Sequence, residues 1–263
     1  MDLQLSDKTA LVTGSTAGIG LEIARKLAVE GAQVIITGRN PAKLDQAVAS
    51  IRTSGGAKVR AVLADPATAD GAATLRCAMP ELDVLVNNLG IYEIKNFTDI
   101  TDEDWRTYFE VNVLSGVRLA RAYLPGMMKR NRGRIVFISS ESGLLTPGGM
   151  IHYGMTKTAQ LAVSRGLAEL TKGTKVTVNA VLPGPTRSDG IVEFLKSTAS
   201  NPEAEPQEIE AEFFAKHRSS SLLQRMIEPN EIANLVAYVA SPLSSATNGA
   251  ALRVEGGVVP TIG

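Results

Sequence analysis

Short aliphatic runs alternate with helix-period stretches along most of the chain, and no other feature limits the fold as much. Thr9-Ala10-Leu11-Val12-Thr13, Gln33-Val34-Ile35-Ile36-Thr37 and Lys58-Val59-Arg60-Ala61-Val62-Leu63 read as the first three strands. Leu82-Asp83-Val84-Leu85-Val86, Arg134-Ile135-Val136-Phe137-Ile138, residues 175–182 and Ala251-Leu252-Arg253-Val254 complete the set. Between them apolar residues return every three or four positions, as in Leu21, Ile23, Ala24, Leu27 and Ala28. Strands alternating with helices form right-handed βαβ units. The expected fold class is therefore α/β: a Rossmann-like doubly wound parallel sheet of about seven strands, helices on both faces, in three αβα layers. At 263 residues the chain can bury a full core, and one domain over 1–263 is expected.

Ligands of such sheets bind beyond the carboxyl ends of the strands. The first strand ends in Gly14-Ser15-Thr16-Ala17-Gly18-Ile19-Gly20 and a helix follows. Glycines there let a phosphate approach backbone N–H groups at the helix N-terminus, although the Gly-x-x-x-Gly-x-Gly spacing departs from Gly-x-Gly-x-x-Gly. After the second strand stands Arg39 and no carboxylate. A guanidinium suits a 2′-phosphate where an acid would take a ribose hydroxyl, so NADP is expected as cofactor, with NAD the alternative. Asp65, Asn87-Asn88-Leu89-Gly90, Ser140 and Pro183-Gly184 fall at the later strand ends, which makes one crevice.

In Tyr153-Gly154-Met155-Thr156-Lys157, four-residue spacing puts an ammonium beside a phenol on one helix face. A cation favours phenolate, whereas burial alone drives a phenol's pKa up. Useful acid–base chemistry then asks that Lys157 be shielded, with Asn112 and water satisfying its protons. Asn112 lies in an apolar stretch of a helical region over 102–129, as a structural bracket or part of a site. Two distant histidines, His152 and His217, with one cysteine, Cys77, leave no zinc-type spacing, and no metal is expected. The lone cysteine suits a reducing cytosol and gives no disulfide framework. Lys plus Arg equals Asp plus Glu at 27 each, so nothing draws the chain to nucleic acid or anionic lipid. The N-terminus has no apolar leader and no stretch approaches a membrane span, so a cytoplasmic location is expected.

Taken together, Thr13-Gly-x-x-x-Gly-Ile-Gly20, Asn87-Asn88-x-Gly90, Asn112, Ser140, Tyr153-x-x-x-Lys157, Asn179 and Pro183-Gly184 resemble the short-chain dehydrogenase/reductase family over nearly the whole chain. The resemblance implies reduction of a ketone or 3-oxoacyl group to a secondary alcohol, with Tyr153 as acid/base. Lys157 would lower the Tyr153 pKa and hold the nicotinamide ribose. Ser140 would hydrogen-bond the substrate oxygen, and Asn112 would hold water linking Lys157 to solvent. For the cofactor it implies the turn residues Gly14, Ser15, Thr16, Gly18, Ile19 and Gly20, with Arg39, Asp65 (adenine), Asn88 (adenosine ribose) and Gly90. Pro183, Gly184, the Thr186 backbone (carboxamide) and Ser188 complete the cofactor set. Leu89, Ser188 and Glu255-Gly256-Gly257 stand where the family more often has Ala, Thr and Asp-Gly-Gly. The family commonly forms tetramers, so a homo-oligomer, tetramer or dimer, is expected.

A serine hydrolase lacks support, because no Gly-x-Ser-x-Gly elbow occurs. A catalytically silent nucleotide-binding regulator would be expected to lose Tyr or Lys, and an NAD-preferring alcohol dehydrogenase is the other alternative. Alternation breaks after Thr186. Residues 187–223 read as a substrate lid, with possible helices over 190–198 and 208–216 and an apolar face from Phe194, Leu195, Phe213 and Phe214. Ile91, Tyr92, Leu144, Leu145, Met150 and His152 are candidate walls of a pocket for a small carbonyl or alcohol substrate. Lys129, Arg130, Arg132 and Arg134 could dock an acidic carrier protein, but such clusters are more often solvated helix ends.

Overall fold

Successive side chains on a strand point to opposite faces, and here both faces are apolar. In the computed structural model, which describes residues 1–188, 191, 195–196 and 198–262, seven strands form one parallel sheet. They are β1 (Thr9–Val12), β2 (Gln33–Gly38), β3 (Val59–Leu63), β4 (Val84–Asn87), β5 (Gly133–Ile138), β6 (Val176–Pro183) and β7 (Ala251–Val254). Their order is β3-β2-β1-β4-β5-β6-β7, so the chain reverses its direction of travel at β1, between β2 and β4. That reversal opens a crevice at the carboxyl ends of β1 and β4.

Ala10, Val12, Val34, Ile36, Val84 and Val86 face one layer, built from α1 (Gly18–Val29), α2 (Pro41–Thr53) and α8 (Pro229–Ala240). Leu11, Ile35, Leu85, Ile135 and Phe137 face the other, built from α3 (Ala69–Ala78), α5 (Ser115–Lys129) and α6 (Ile151–Leu170). Ile23 and Leu27 of α1 are fully buried, each a stabilisation of about 1.5–3 kcal/mol relative to exposure. Helix starts follow their cap residues. Asn40 accepts from the Lys43 N–H before α2, Thr68 from Gly71 before α3, and Thr101 with Asp104 boxes the start of α4 (Asp102–Phe109).

The helical region expected over 102–129 is not continuous. A π-helical turn at Glu110–Leu114 separates α4 from α5 and carries Asn112. Such a turn frees backbone groups from the helical ladder, and the Asn112 carbonyl accepts from Gln160 Nε2 at 2.6 Å. A third, smaller cluster lies in the segment read as a lid. Leu195, Ile209, Phe213, Phe214 and Met226 pack together around α7 (Pro206–His217). Phe194, counted in the lid's apolar face, lies outside the described residues, as does part of the helix expected over 190–198.

Candidate active site

The glycine turn is held by the neighbouring strand end. Asn88 Nδ2 donates to the carbonyls of Thr13 and Gly14 at 2.9 and 3.1 Å, and the Asn88 N–H donates to Thr13 Oγ1 at 2.9 Å. Gly14 and Gly18 have φ of 60° and 53°, a backbone region costly for other residues. A Cβ at Gly20 would stand 2.3 Å from the Gly14 oxygen and 2.4 Å from Asn88 Nδ2. Gly20→Ala should therefore displace the Asn88 brace, costing about 1–3 kcal/mol. The readouts are a melting temperature lower by several degrees and a dinucleotide affinity reduced at least about tenfold. An unchanged melting curve would show that the turn is not braced this way.

Twelve of the residues expected at the site line one cavity of about 450 Å³. Gly18, Ile19 and Gly20 enter from the turn, and Asn88 and Gly90 from the end of β4. Ser140, Tyr153 and Lys157 face them, and Pro183, Gly184, Thr186 and Ser188 close the side beyond β6. The turn also presents free backbone at a helix N-terminus, so this wall fits a dinucleotide phosphate.

The remaining expected residues do not line that cavity. Ser15 is turned inward, its hydroxyl donating to the Val12 carbonyl at 2.7 Å and accepting from the Thr37 N–H at 3.0 Å. Its side chain ties β1 to β2, so a part for Ser15 in phosphate binding falls to its backbone. Gly14 lies against Asn88 and Leu89, and the Thr16 side chain against Gly38. Arg39 and Asp65 sit at the neighbouring strand ends, 3.7 Å apart, with the Arg39 side chain 79% exposed. An exposed pair that long is weak, so the guanidinium can turn to a ligand at little cost.

Asn112 is a bracket. Its Oδ1 accepts from the Ile91 N–H at 2.8 Å, and Nδ2 donates to the Ile91 carbonyl and to Thr156 Oγ1, both at 3.0 Å. Lys157 is shielded, 4% exposed, as the chemistry demanded. Two of its three protons have partners that were not among those expected: Nζ donates to the Ile138 carbonyl at 2.9 Å and to Gln160 Oε1 at 3.3 Å. Gln160, three residues along the same helix, thus joins Lys157 to the Asn112 carbonyl. Burial pushes the Lys157 ammonium down to about 8, with the Glu141 carboxylate opposing.

Tyr153 is half-buried, with its ring 5.5 Å from Lys157 Nζ and edge-on to Tyr92. Its phenol is not lowered. Burial pushes it well above the ordinary tyrosine range, Glu141 adds to the rise, and a hydrogen bond with Ser140 opposes it. Glu141 did not figure among the expected residues, although it directly follows Ser140. It is buried, accepts from Ser140 Oγ at 2.5 Å, and pairs with Arg218 at 3.5 Å. Arg218 comes from the residue after α7 and lines the same cavity.

Of the expected pocket walls, Tyr92, Met150 and Phe213 line the cavity. His152 does not: it is fully buried behind Tyr153, its ring 4.1 Å from that of Tyr108, with both nitrogens lacking a protein partner among the described residues. Leu144 and Leu145 are 46% exposed, and Phe214 is buried in the lid cluster. The basic cluster sits at the opposite end of the sheet. Arg130 donates to the Leu82 carbonyl at 2.7 Å, Arg132 pairs with Asp83 at 3.2 Å, and Arg134 donates to the Lys175 carbonyl at 2.9 Å. Among the described residues no helix is long and apolar enough to cross a membrane.

A doubly wound sheet with a glycine turn at its switch point, and a tyrosine–lysine pair facing that turn, defines a dinucleotide-dependent oxidoreductase. The chain belongs to the short chain dehydrogenase family, which it matches over residues 8–198. It is 49% identical to the uncharacterized oxidoreductase YvaG of Bacillus subtilis (strain 168), with all of both chains covered. Identity to the 3-oxoacyl-[acyl-carrier-protein] reductase FabG of Escherichia coli (strain K12) is 32%, over 97% of this chain and 99% of that one. Among solved structures, L-sorbose reductase from Gluconobacter frateurii, complexed with NADPH and L-sorbose, superimposes with a TM-score of 0.92 at 29% identity over the full length of both.

Proposed function

We propose that the protein is an NADPH-dependent carbonyl reductase that converts a ketone or 3-oxoacyl group to a secondary alcohol. The observation that carries this reading is the convergence of Ser140, Tyr153 and Lys157 on the cavity whose opposite wall is the glycine turn. NADPH, when bound, supplies the hydride that goes to the carbonyl carbon. Tyr153 gives its proton to the oxygen as that oxygen becomes alkoxide. Its raised pKa fits this direction, because the phenol arrives protonated and an alkoxide is far more basic than a phenolate. The Lys157 ammonium offsets the charge of the phenolate left on Tyr153 and holds the ribose, and Ser140 turns its one hydrogen from Glu141 to the carbonyl oxygen and orients it. NADPH-bound L-sorbose reductase and the FabG likeness support both the cofactor and the reaction direction.

Residues 187–223 act as the lid in this reading, with Phe213 and Arg218 as their inner face. The protein works in the cytoplasm as a homo-oligomer, a tetramer or dimer, on a small-molecule substrate. Consumption of NADPH with a panel of ketones tests the reading directly; tight NADPH binding with no turnover of any carbonyl would favour the silent regulator. Cofactor choice has its own test. Arg39→Ala should raise KM for NADPH by about 10–100-fold, the worth of a charge-assisted bond to phosphate, and leave KM for NADH within about threefold. Equal effects on both cofactors would remove Arg39 from 2′-phosphate recognition.

A further inference from the structure

At the reacting end of the cavity a buried Glu141 faces a half-buried Arg218, and pairs of this kind are poor stability devices. The two side chains are 7% and 18% exposed, and removing two charges from water costs several kcal/mol per ion unless the geometry is excellent. Here it is not. Only Ser140 Oγ lies at a short distance from the carboxylate, while Ser142 Oγ and the Arg218 guanidinium stand at 3.4 and 3.5 Å. An ionised carboxylate accepts about four hydrogen bonds, so Glu141 keeps accepting capacity directed to the cavity it lines. Arg218 is fixed from behind, donating to the His217 carbonyl at 2.8 Å with its guanidinium 5.9 Å from the centre of the Phe213 ring. Both groups are therefore held in place and imperfectly matched to each other.

We propose that Glu141 and Arg218 form a clamp for a hydroxyl group on the carbon next to the substrate carbonyl, so that the preferred substrates are α-hydroxy ketones. This rests on the reductase reading above. Glu141 contacts the same Ser140 hydroxyl that meets the reacting oxygen, which puts the carboxylate within reach of an oxygen one carbon away. A hydroxyl beside the pair donates to Glu141 and accepts from Arg218, and with the two groups 3.5 Å apart one oxygen on the cavity side can reach both. An anionic substrate fits less well, because the Arg218 charge is already balanced and a second carboxylate would face Glu141. A plain alkyl ketone would bury the clamp without using it, leaving polar groups without a substrate partner.

The test uses the full-length protein, NADPH, and matched ketones: 3-hydroxy-2-butanone against 2-butanone, and 1-hydroxy-2-hexanone against 2-hexanone. The wild type is expected to favour the hydroxylated member by at least about thirtyfold in kcat/KM, mostly through KM. In Glu141→Gln and Arg218→Met that ratio should fall below about threefold, with folding and NADPH binding checked by melting and fluorescence titration. A wild-type ratio near one overturns the clamp while leaving the reductase standing, and so does a ratio that survives both substitutions. A preference for 2-oxobutanoate over its hydroxy-ketone counterpart overturns it in favour of an anionic substrate. Failure of every ketone with NADPH bound overturns the reductase reading and the clamp with it. The wild-type ratio decides the matter even if a variant does not fold.

Discussion

Tyr153→Phe is expected to lower kcat for ketone reduction by at least about a thousandfold and to leave the fold and NADPH binding intact. Positioned proton transfer is worth roughly 10²–10⁴ in rate, and phenylalanine keeps the ring while removing the phenolic hydroxyl that carries the proton. The ring's edge-on contact with Tyr92 stays, and so does the Lys157 network, since Nζ is held by the Ile138 carbonyl and Gln160 rather than by the phenol. Loss of the hydrogen bond with Ser140 should change stability by no more than about 1 kcal/mol. Ser140 keeps its partner Glu141, so the neighbouring hydroxyl does not become an orphan. Single-turnover measurement with NADPH separates chemistry from product release. A variant that retains more than a tenth of wild-type kcat would remove Tyr153 as proton donor.

The sheet and the crevice were legible because both follow from local periodicity. Seven apolar runs became seven strands within a residue or two, and the polar residues at their ends converged because a parallel sheet puts all those ends on one side. What pattern could not reach was side-chain direction. Ser15 and Asn88 stand in the same glycine turn region, yet one hydroxyl is spent between β1 and β2 while the Asn88 amide braces the turn. His152, next to Tyr153, read as pocket wall and is instead packed behind it, as expected of the neighbour one position round a helix. The largest miss was electrostatic. Burial was set against Lys157 in weighing the Tyr153 phenol, but Glu141, which adds to the rise, was left out, and Arg218 reaches Glu141 from 77 residues away. An i,i+3 look along the helix would have found Gln160; no spacing rule would have found Arg218.

Lys157→Met is expected to abolish turnover to a similar degree, and its effect on stability should depend on pH in a way that identifies the buried ammonium. In the folded chain the Lys157 pKa is pushed down to about 8 from an ordinary lysine value near 10.5. Between those values the unfolded chain carries a proton on this side chain that the folded chain does not, so wild-type stability rises with pH through this window. Below about 8 both states are protonated, and the cost of burying the charge is constant and fully present. One pKa unit corresponds to about 1.36 kcal/mol, so between pH 7 and pH 9.5 the wild type should gain about 2 kcal/mol relative to the methionine variant. Urea unfolding of both proteins without cofactor at the two pH values measures the difference, and every other titrating group cancels in the comparison. A pH-independent gap would mean that Lys157 keeps its ordinary pKa despite its burial, and that the Ile138 carbonyl and Gln160 solvate the ammonium as well as water does. The difference should change sign when Gln160→Leu is the comparison, because that variant retains the lysine and the loss of one acceptor lowers its folded-state pKa further.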